Sequence, residues 1–436
     1  MLFNNPLDYF LLILGCTIVL AIPLINRRKR SPAIYPPGPK GHWLLGNVSD
    51  MPKEHEWETY TRWAKEHGDL VYIKVLRQPI VFVNSMTIAY ELFERRSSIY
   101  SDRFDFPMLG ELMGFDWNFV IMRYGDRWRR HRRSFHQRFN PGAILEYMPL
   151  QLNQTRSLLL RLRESPDDFL AHIRHLSGAV TMDIIYGIKV QPKDDPYLKL
   201  AEDGFAVASE AANPGSFLVD TLPILKYVPE WMPGAGFKTK ARNARKLSTA
   251  MAVVPFTVCK NALEAGKASP SFTASSLSRL ASQTTDDVEE DETIIRNTAA
   301  TGYGAGADTT TVALHWWILA MILYPEVQAR AQEELDRVLG DRLPTFDDLD
   351  QLPYITAMCK EVQRFHPVFP LGIAHGTVRD DVYKGYLIPK GSVVIGNAWA
   401  MLHDEKVYGA NVNDFDPGRF LKAGVPDPIV AFGFGR

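Results

Sequence analysis

The feature that most constrains the fold is the stretch "IIRNTAATGYGAGADTTTVALHWWILAMILYPEVQARAQEELDRVLG", residues 294–340. Its apolar positions recur at helical spacing as far as Pro325, where a proline opens a second helix. Three glycines, Gly302, Gly304 and Gly306, fall inside the first helix just before Asp308, Thr309 and Thr310. Each costs about 1 kcal/mol in a helix relative to alanine, so three together ask for a reason. Close approach of a flat ligand to the backbone is one, with a threonine hydroxyl bending the helix by competing for a carbonyl. Asp308 and Thr309 are then candidates for delivering protons into a buried site. A flexible helix with ordinary glycines is the other reading. A dinucleotide-binding loop would need a strand just before the glycines, and the residues there are polar and helical in pattern.

The chain has 436 residues, 46% hydrophobic and 23% charged, enough to bury a large core. No linker or internal repeat divides it beyond residue 60, which points to one large domain. A net charge of −1 argues against nucleic acid as a partner. Three cysteines far apart (Cys16, Cys259, Cys359) make neither a disulfide framework nor a zinc site, and fit a reducing compartment. Residues 9–25, "YFLLILGCTIVLAIPLI", carry no charge and are followed at once by "RRKR". Charges after the apolar run, rather than before it, favour a membrane span over a cleaved signal, with the body on the cytosolic side. The prolines of "YPPGPKG" (residues 35–41) keep that span from continuing as a helix.

Two further stretches carry charge in a pattern. "RYGDRWRRHRRSFHQRF" (residues 123–139) has seven arginines, and helical spacing puts Trp128 and Arg132 on one face. Such a pair suits an anion with a flat apolar body, although a solvated basic face reads as well. In "PYITAMCKEVQRFHPVFPLG" (residues 353–372), Glu361 and Arg364 also share a helix face. Strand-like alternation follows, with a turn at Pro389, Lys390 and Gly391, and then "FDPGRF" and "FGFGR". From "FDPGRF", Arg419 is a candidate to join Glu361 and Arg364 from a distance in sequence.

Taken in order, "PPGPKG", "WRRHR", "AGADTT", "EVQR", "FDPGRF" and "FGFGR" resemble a microsomal cytochrome P-450 of the fungal type, a haem-thiolate monooxygenase. Each motif is weak alone; six in order, over nearly the whole chain, are specific. The resemblance implies a mainly α, helix-rich fold with small β-sheets behind an N-terminal transmembrane helix. Residues 1–30 would be the membrane anchor and basic stop, 31–48 a proline-rich hinge, and 49–436 the catalytic domain. It implies haem b, with Trp128, Arg132 and His375 on a propionate and Ala305 and Gly306 over the haem face. Phe432 and Gly435 would belong to the loop that holds the iron. Asp308 and Thr309 would stabilise dioxygen and relay protons, and Glu361, Arg364 and Arg419 would form a buried charge network. In the family pattern "F-x-x-G-x-R-x-C", Arg436 falls on a variable position, and the cysteine ligand is expected three residues beyond it. Gly418, before Arg419, departs from the acid or polar residue usual in the family.

The implied reaction inserts one atom of O2 into an apolar organic substrate, in fungal secondary metabolism or xenobiotic oxidation. Electrons would come from NADPH through a membrane-bound NADPH–cytochrome P-450 reductase docking on a basic surface. The expected location is the endoplasmic reticulum membrane, single-pass, with the catalytic domain cytosolic. The alternative is a truncated, inactive membrane-tethered remnant or an apolar-ligand-binding protein. The bulky apolar residues of the loops say only that a substrate would be apolar, which also describes a core.

Overall fold

A computed structural model describes residues 34–212, 216–284 and 287–435. The apolar stretch 9–25 and its basic flank lie outside the described residues, among which no helix is long and apolar enough to cross a membrane. Ten helices of ten residues or more occur among the described residues. They are α1 (Glu56–His67), α2 (Asp126–His136), α3 (Met148–Glu164), α4 (Phe169–Tyr186), α5 (Pro196–Ala212), α6 (Gly236–Glu264), α7 (Phe272–Ala281), α8 (Val288–Leu323), α9 (Pro325–Leu339) and α10 (Pro353–Phe365).

The strands are β1 (Leu70–Val75), β2 (Gln78–Val83), β3 (Asp102–Arg103), β4 (His375–Gly376), β5 (Asp381–Tyr383), β6 (Tyr386–Ile388) and β7 (Val393–Gly396). Five of them form one sheet in the order β1-β2-β7-β4-β3, and β5 pairs with β6 alone. β7 runs parallel to β2 and antiparallel to β4, so the two ends of the described chain close on one sheet. The turn expected near Pro389 lies between β6 and β7. There Gly391 takes φ +76 and the Ser392 amide reaches the Pro389 carbonyl at 3.2 Å.

The segment read as a hinge is tied down from its first described residues. Tyr35 stacks on Tyr72 of β1 with ring centres 4.9 Å apart, and the Tyr72 amide donates to Pro37 O at 2.9 Å. A Cβ on Gly38 would stand 2.0 Å from Tyr72 O, so only glycine lets the chain lie this close to the strand.

α8 runs through the helical body, about 54 Å for its 36 residues. Asp287 caps it by accepting the Glu290 amide at 3.0 Å, and Glu289, Glu290 and Asp291 put negative charge at its positive end. Pro325 opens α9, as its fixed φ and missing N–H allow at a first helical position. The buried Glu334 carboxylate of α9 then accepts the Tyr354 and Ile355 amides at 3.0 Å, capping α10 from a neighbouring helix.

The three glycines of α8 serve helix packing. A Cβ would lie 2.9 Å from Ile185 at Gly302, 3.0 Å from Phe205 at Gly304 and 2.8 Å from Thr181 Oγ1 at Gly306. Ile185 and Thr181 belong to α4 and Phe205 to α5, so the glycines let two helices approach α8 closely. Thr181 cannot turn away freely, because its hydroxyl donates to Ser177 O at 2.7 Å. Gly306→Ala is therefore expected to lower the melting temperature despite alanine's better helix propensity, by an overpacking cost of about 1–3 kcal/mol. Adding Thr181→Ala should restore it; a stabilising Gly306→Ala alone would show that the contact is loose.

Candidate functional site

A cavity of about 700 Å3 opens beside α8. α8 contributes Thr309, Thr310 and Ala313, and α2 contributes Trp128 and Arg132. β3 and β4 bring Arg103 and His375, which their register places opposite each other. The end of α10 with the chain after it, and residues 431–435, complete the wall. The volume is that of an ordinary small-molecule or cofactor site.

Two arginines, Arg103 and Arg132, line this cavity. Most arginines around α2 are already paired: Arg123 with Asp102 and Asp105, Arg127 with Glu290, Arg129 with Asp126, Arg130 with Asp291 and Arg138 with Glu146. Arg132 lines the cavity and makes no ion pair among the described residues. Arg103, which sequence reasoning missed, donates only to the carbonyls of Ile373 and Ala374, at 2.8 and 3.3 Å. Burial pushes its guanidinium down to about 10, still protonated at neutral pH. Two guanidiniums on the lining of one cavity, among the described residues one without an ion pair and one bonded only to carbonyls, suit the carboxylates of an anionic ligand.

His375 stands beside them with a constraint of its own. Its Nδ1 lies 2.8 Å from Tyr100 O, and a carbonyl only accepts, so Nδ1 carries the proton. Burial, with the Arg103 charge adding to it, pushes the imidazole down to about 3, so the ring is neutral and its Nε2 is an acceptor. Holding a carboxylate there requires a second proton.

On the α8 side, Thr309 lines the cavity and its hydroxyl donates to Ala305 O at 2.7 Å. Asp308, Ala305 and Gly306 do not line it: Asp308 and Ala305 are exposed, and Gly306 faces Thr181. The chain segment 432–435 closes the far wall. Gly433 and Gly435 take φ +92 and +70, which only glycine adopts without strain. Phe434 stacks on Phe93 at 5.2 Å and fills the space over Gly396, where a Cβ would come within 2.3 Å of its ring. The Gly435 amide donates to Glu94 Oε1 at 2.7 Å. Neither Phe434 nor Glu94 was legible as a site residue. Phe432 lines the cavity and is 79% exposed.

Behind the loop, Arg364 reaches Glu361 through two bonds of 2.7 and 2.8 Å, and Arg419 reaches both Glu361 oxygens at 3.1 Å. All three side chains are buried. Of the cysteines, Cys16 lies outside the described residues, Cys259 is buried in α6, and Cys359 is exposed on α10; neither described thiol lines the cavity. Among the described residues no group of three or more His, Cys, Asp or Glu side chains is placed to hold a metal ion. The cavity's size, two arginines and glycine loop fit a cofactor bearing carboxylates, and no cysteine lines it among the described residues.

A family model for cytochrome P-450 matches residues 36–436. Cytochrome P-450 monooxygenase COX2 of Coprinopsis cinerea is 43% identical over 429 residues, 97% of this chain and 81% of that protein. Cytochrome P-450 monooxygenase 208 of Postia placenta is 42% identical over 426 residues, 96% and 82% respectively. Tryptamine 4-monooxygenase of Psilocybe cyanescens is 39% identical over 443 residues, 98% and 86%.

If Arg132 holds a carboxylate of the cofactor, Arg132→Leu should weaken the chain's affinity for haemin about tenfold, the worth of one charge-assisted hydrogen bond. Arg133→Leu, on a neighbouring residue that does not line the cavity, should leave the titration unchanged. Equal losses in both would mean that general positive charge, not Arg132, attracts the ligand.

Proposed function

Because the chain belongs to the cytochrome P-450 family of haem monooxygenases, we propose that it oxidises an apolar small molecule held in this cavity, with electrons drawn from NADPH through a membrane-bound reductase. The observation that carries the reading is one cavity bounded by an arginine without an ion pair, a helix threonine and a glycine-bearing loop. When bound, haem supplies the activation of O2 and the insertion of one oxygen atom into the substrate. Arg132, Arg103 and Trp128 would orient its carboxylates. The thiolate is proposed to come from a cysteine three residues after Arg436.

The protein's own part is positioning and proton handling. Phe119, Val120, Phe369 and Leu371 give the cavity apolar walls that exclude water and favour an apolar substrate. The Thr309 hydroxyl spends its proton on Ala305 O, so its lone pairs face the cavity; to donate there it must rotate off that carbonyl. Asp308, the residue before it and exposed, is placed to exchange protons with solvent. Attachment to the endoplasmic reticulum membrane through residues 1–30 is part of the same proposal, supported by their apolar run and the basic cluster behind it.

The test is spectroscopic first. Protein made with a haem supply should give the carbon monoxide difference spectrum of thiolate-ligated haem. Thr309→Ala should then lower product formation by roughly 10²-fold at unchanged haem content. Haem uptake without the thiolate spectrum would favour the remnant reading, and no uptake would remove the proposal altogether.

A further inference from the structure

α2 and α8 lie against each other along a face whose two ends are well defined. At one end Arg127 reaches Glu290 at 3.4 Å and Arg130 reaches Asp291 at 2.8 Å. At the other, the Phe135 ring meets Gly302, 3.3 Å from where a Cβ would stand. Helical spacing puts His131 and Ser134 between these points on α2, and Asn297 and Thr298 between them on α8. His131 and Thr298 are fully buried and Asn297 is 2% exposed.

Within this seam His131 Nε2, Ser134 Oγ, Asn297 Oδ1 and Thr298 Oγ1 are all buried and make no hydrogen bond to another atom of the described residues. An unpaired buried polar atom costs its whole desolvation, and native interiors seldom leave one, still less four on facing surfaces. The chemistry says what would pair them. His131 Nδ1 lies 2.8 Å from Arg127 O, so Nδ1 carries the proton and Nε2 is an acceptor. Burial lowers the imidazole's affinity for a second proton, which keeps that acceptor bare. Asn297 Oδ1 is an acceptor as well. Two acceptors cannot satisfy each other, whereas a water offers them its two O–H groups and offers the two hydroxyls its lone pairs.

We propose that the α2–α8 seam is a binding site for a buried water, held by His131, Ser134, Asn297 and Thr298. It lies directly behind the cavity wall: the Phe119 amide donates to Thr301 Oγ1 at 3.4 Å, the Phe119 ring is 6.1 Å from His131, and Phe119 lines the cavity. Thr301 stands about two helical turns from Thr309 along α8. The water site itself does not depend on the proposed oxidation.

A crystal structure of the full chain that resolves ordered water tests it. Expected is one water within about 3.2 Å of His131 Nε2 and of Asn297 Oδ1 or Thr298 Oγ1. An Asn297 amide turned so that its nitrogen donates straight to His131, or direct side-chain pairing with no water, overturns the proposal. Thermal melts of His131→Phe, Thr298→Val and the double variant give an independent reading. A shared water predicts that the double variant loses clearly less melting temperature than the two single losses added together; simple additivity contradicts it. If His131→Phe does not fold, the crystallographic result decides alone.

Discussion

The buried cluster of Glu361, Arg364 and Arg419 is the constraint on which the site rests. One carboxylate faces two guanidiniums, so the cluster keeps one net positive charge, and backbone carbonyls solvate it by accepting the remaining N–H groups. Arg364 donates to Leu402, Val412 and Asp414, and Arg419 to Tyr408, Asn411 and Asp414. Glu361 in turn accepts the Asp416 amide at 2.9 Å. The chain from 402 to 419 has little regular structure, and these bonds stand in for a ladder that it lacks. Burial, with the Arg364 charge adding to it, pushes His403 down to about 4, so no third cation joins the two arginines there. Desolvation offsets much of the attraction in such a cluster, so its contribution is to specify one arrangement of the segment more than to stabilise the fold.

That arrangement delivers residues 432–435 to the cavity. The loop is then fixed by contacts of a different kind: a ring stack on Phe93, a fit over Gly396 and an amide on Glu94. On the facing side, charge is divided with the same economy. The arginines around α2 that meet acids tie that helix to its neighbours, among them the acidic first turn of α8. Arg132, which makes no ion pair among the described residues, is left for the cavity. A basic helix thus does two jobs, and composition alone cannot separate them.

Much of this was legible in the sequence, and the rest was not for identifiable reasons. The long helix, its break at Pro325 and the turn at Gly391 follow from local rules of periodicity and backbone geometry. The glycines of α8 stood out as an anomaly, but their cause did not, because Ile185, Phe205 and Thr181 arrive from helices far away in the chain. Of the two residues expected over the ligand, Gly306 packs on Thr181 of α4, and Ala305 is exposed one turn before Thr309 on the same face of α8. Arg103 was invisible because a two-residue strand has no period to detect, and only its pairing with His375 brings it to the site. Arg419 was a guess about a contact that only the fold creates.

The central claim is that the charge cluster, not local propensity, orders the segment that carries the loop. Hydrogen exchange on Glu361→Gln measures this directly. Removing one charge from such a cluster costs about 3–5 kcal/mol. The account predicts faster exchange across residues 402–435, with α4, α6 and α8 still protected. Unchanged protection across 402–435, or an equal loss everywhere, would contradict it.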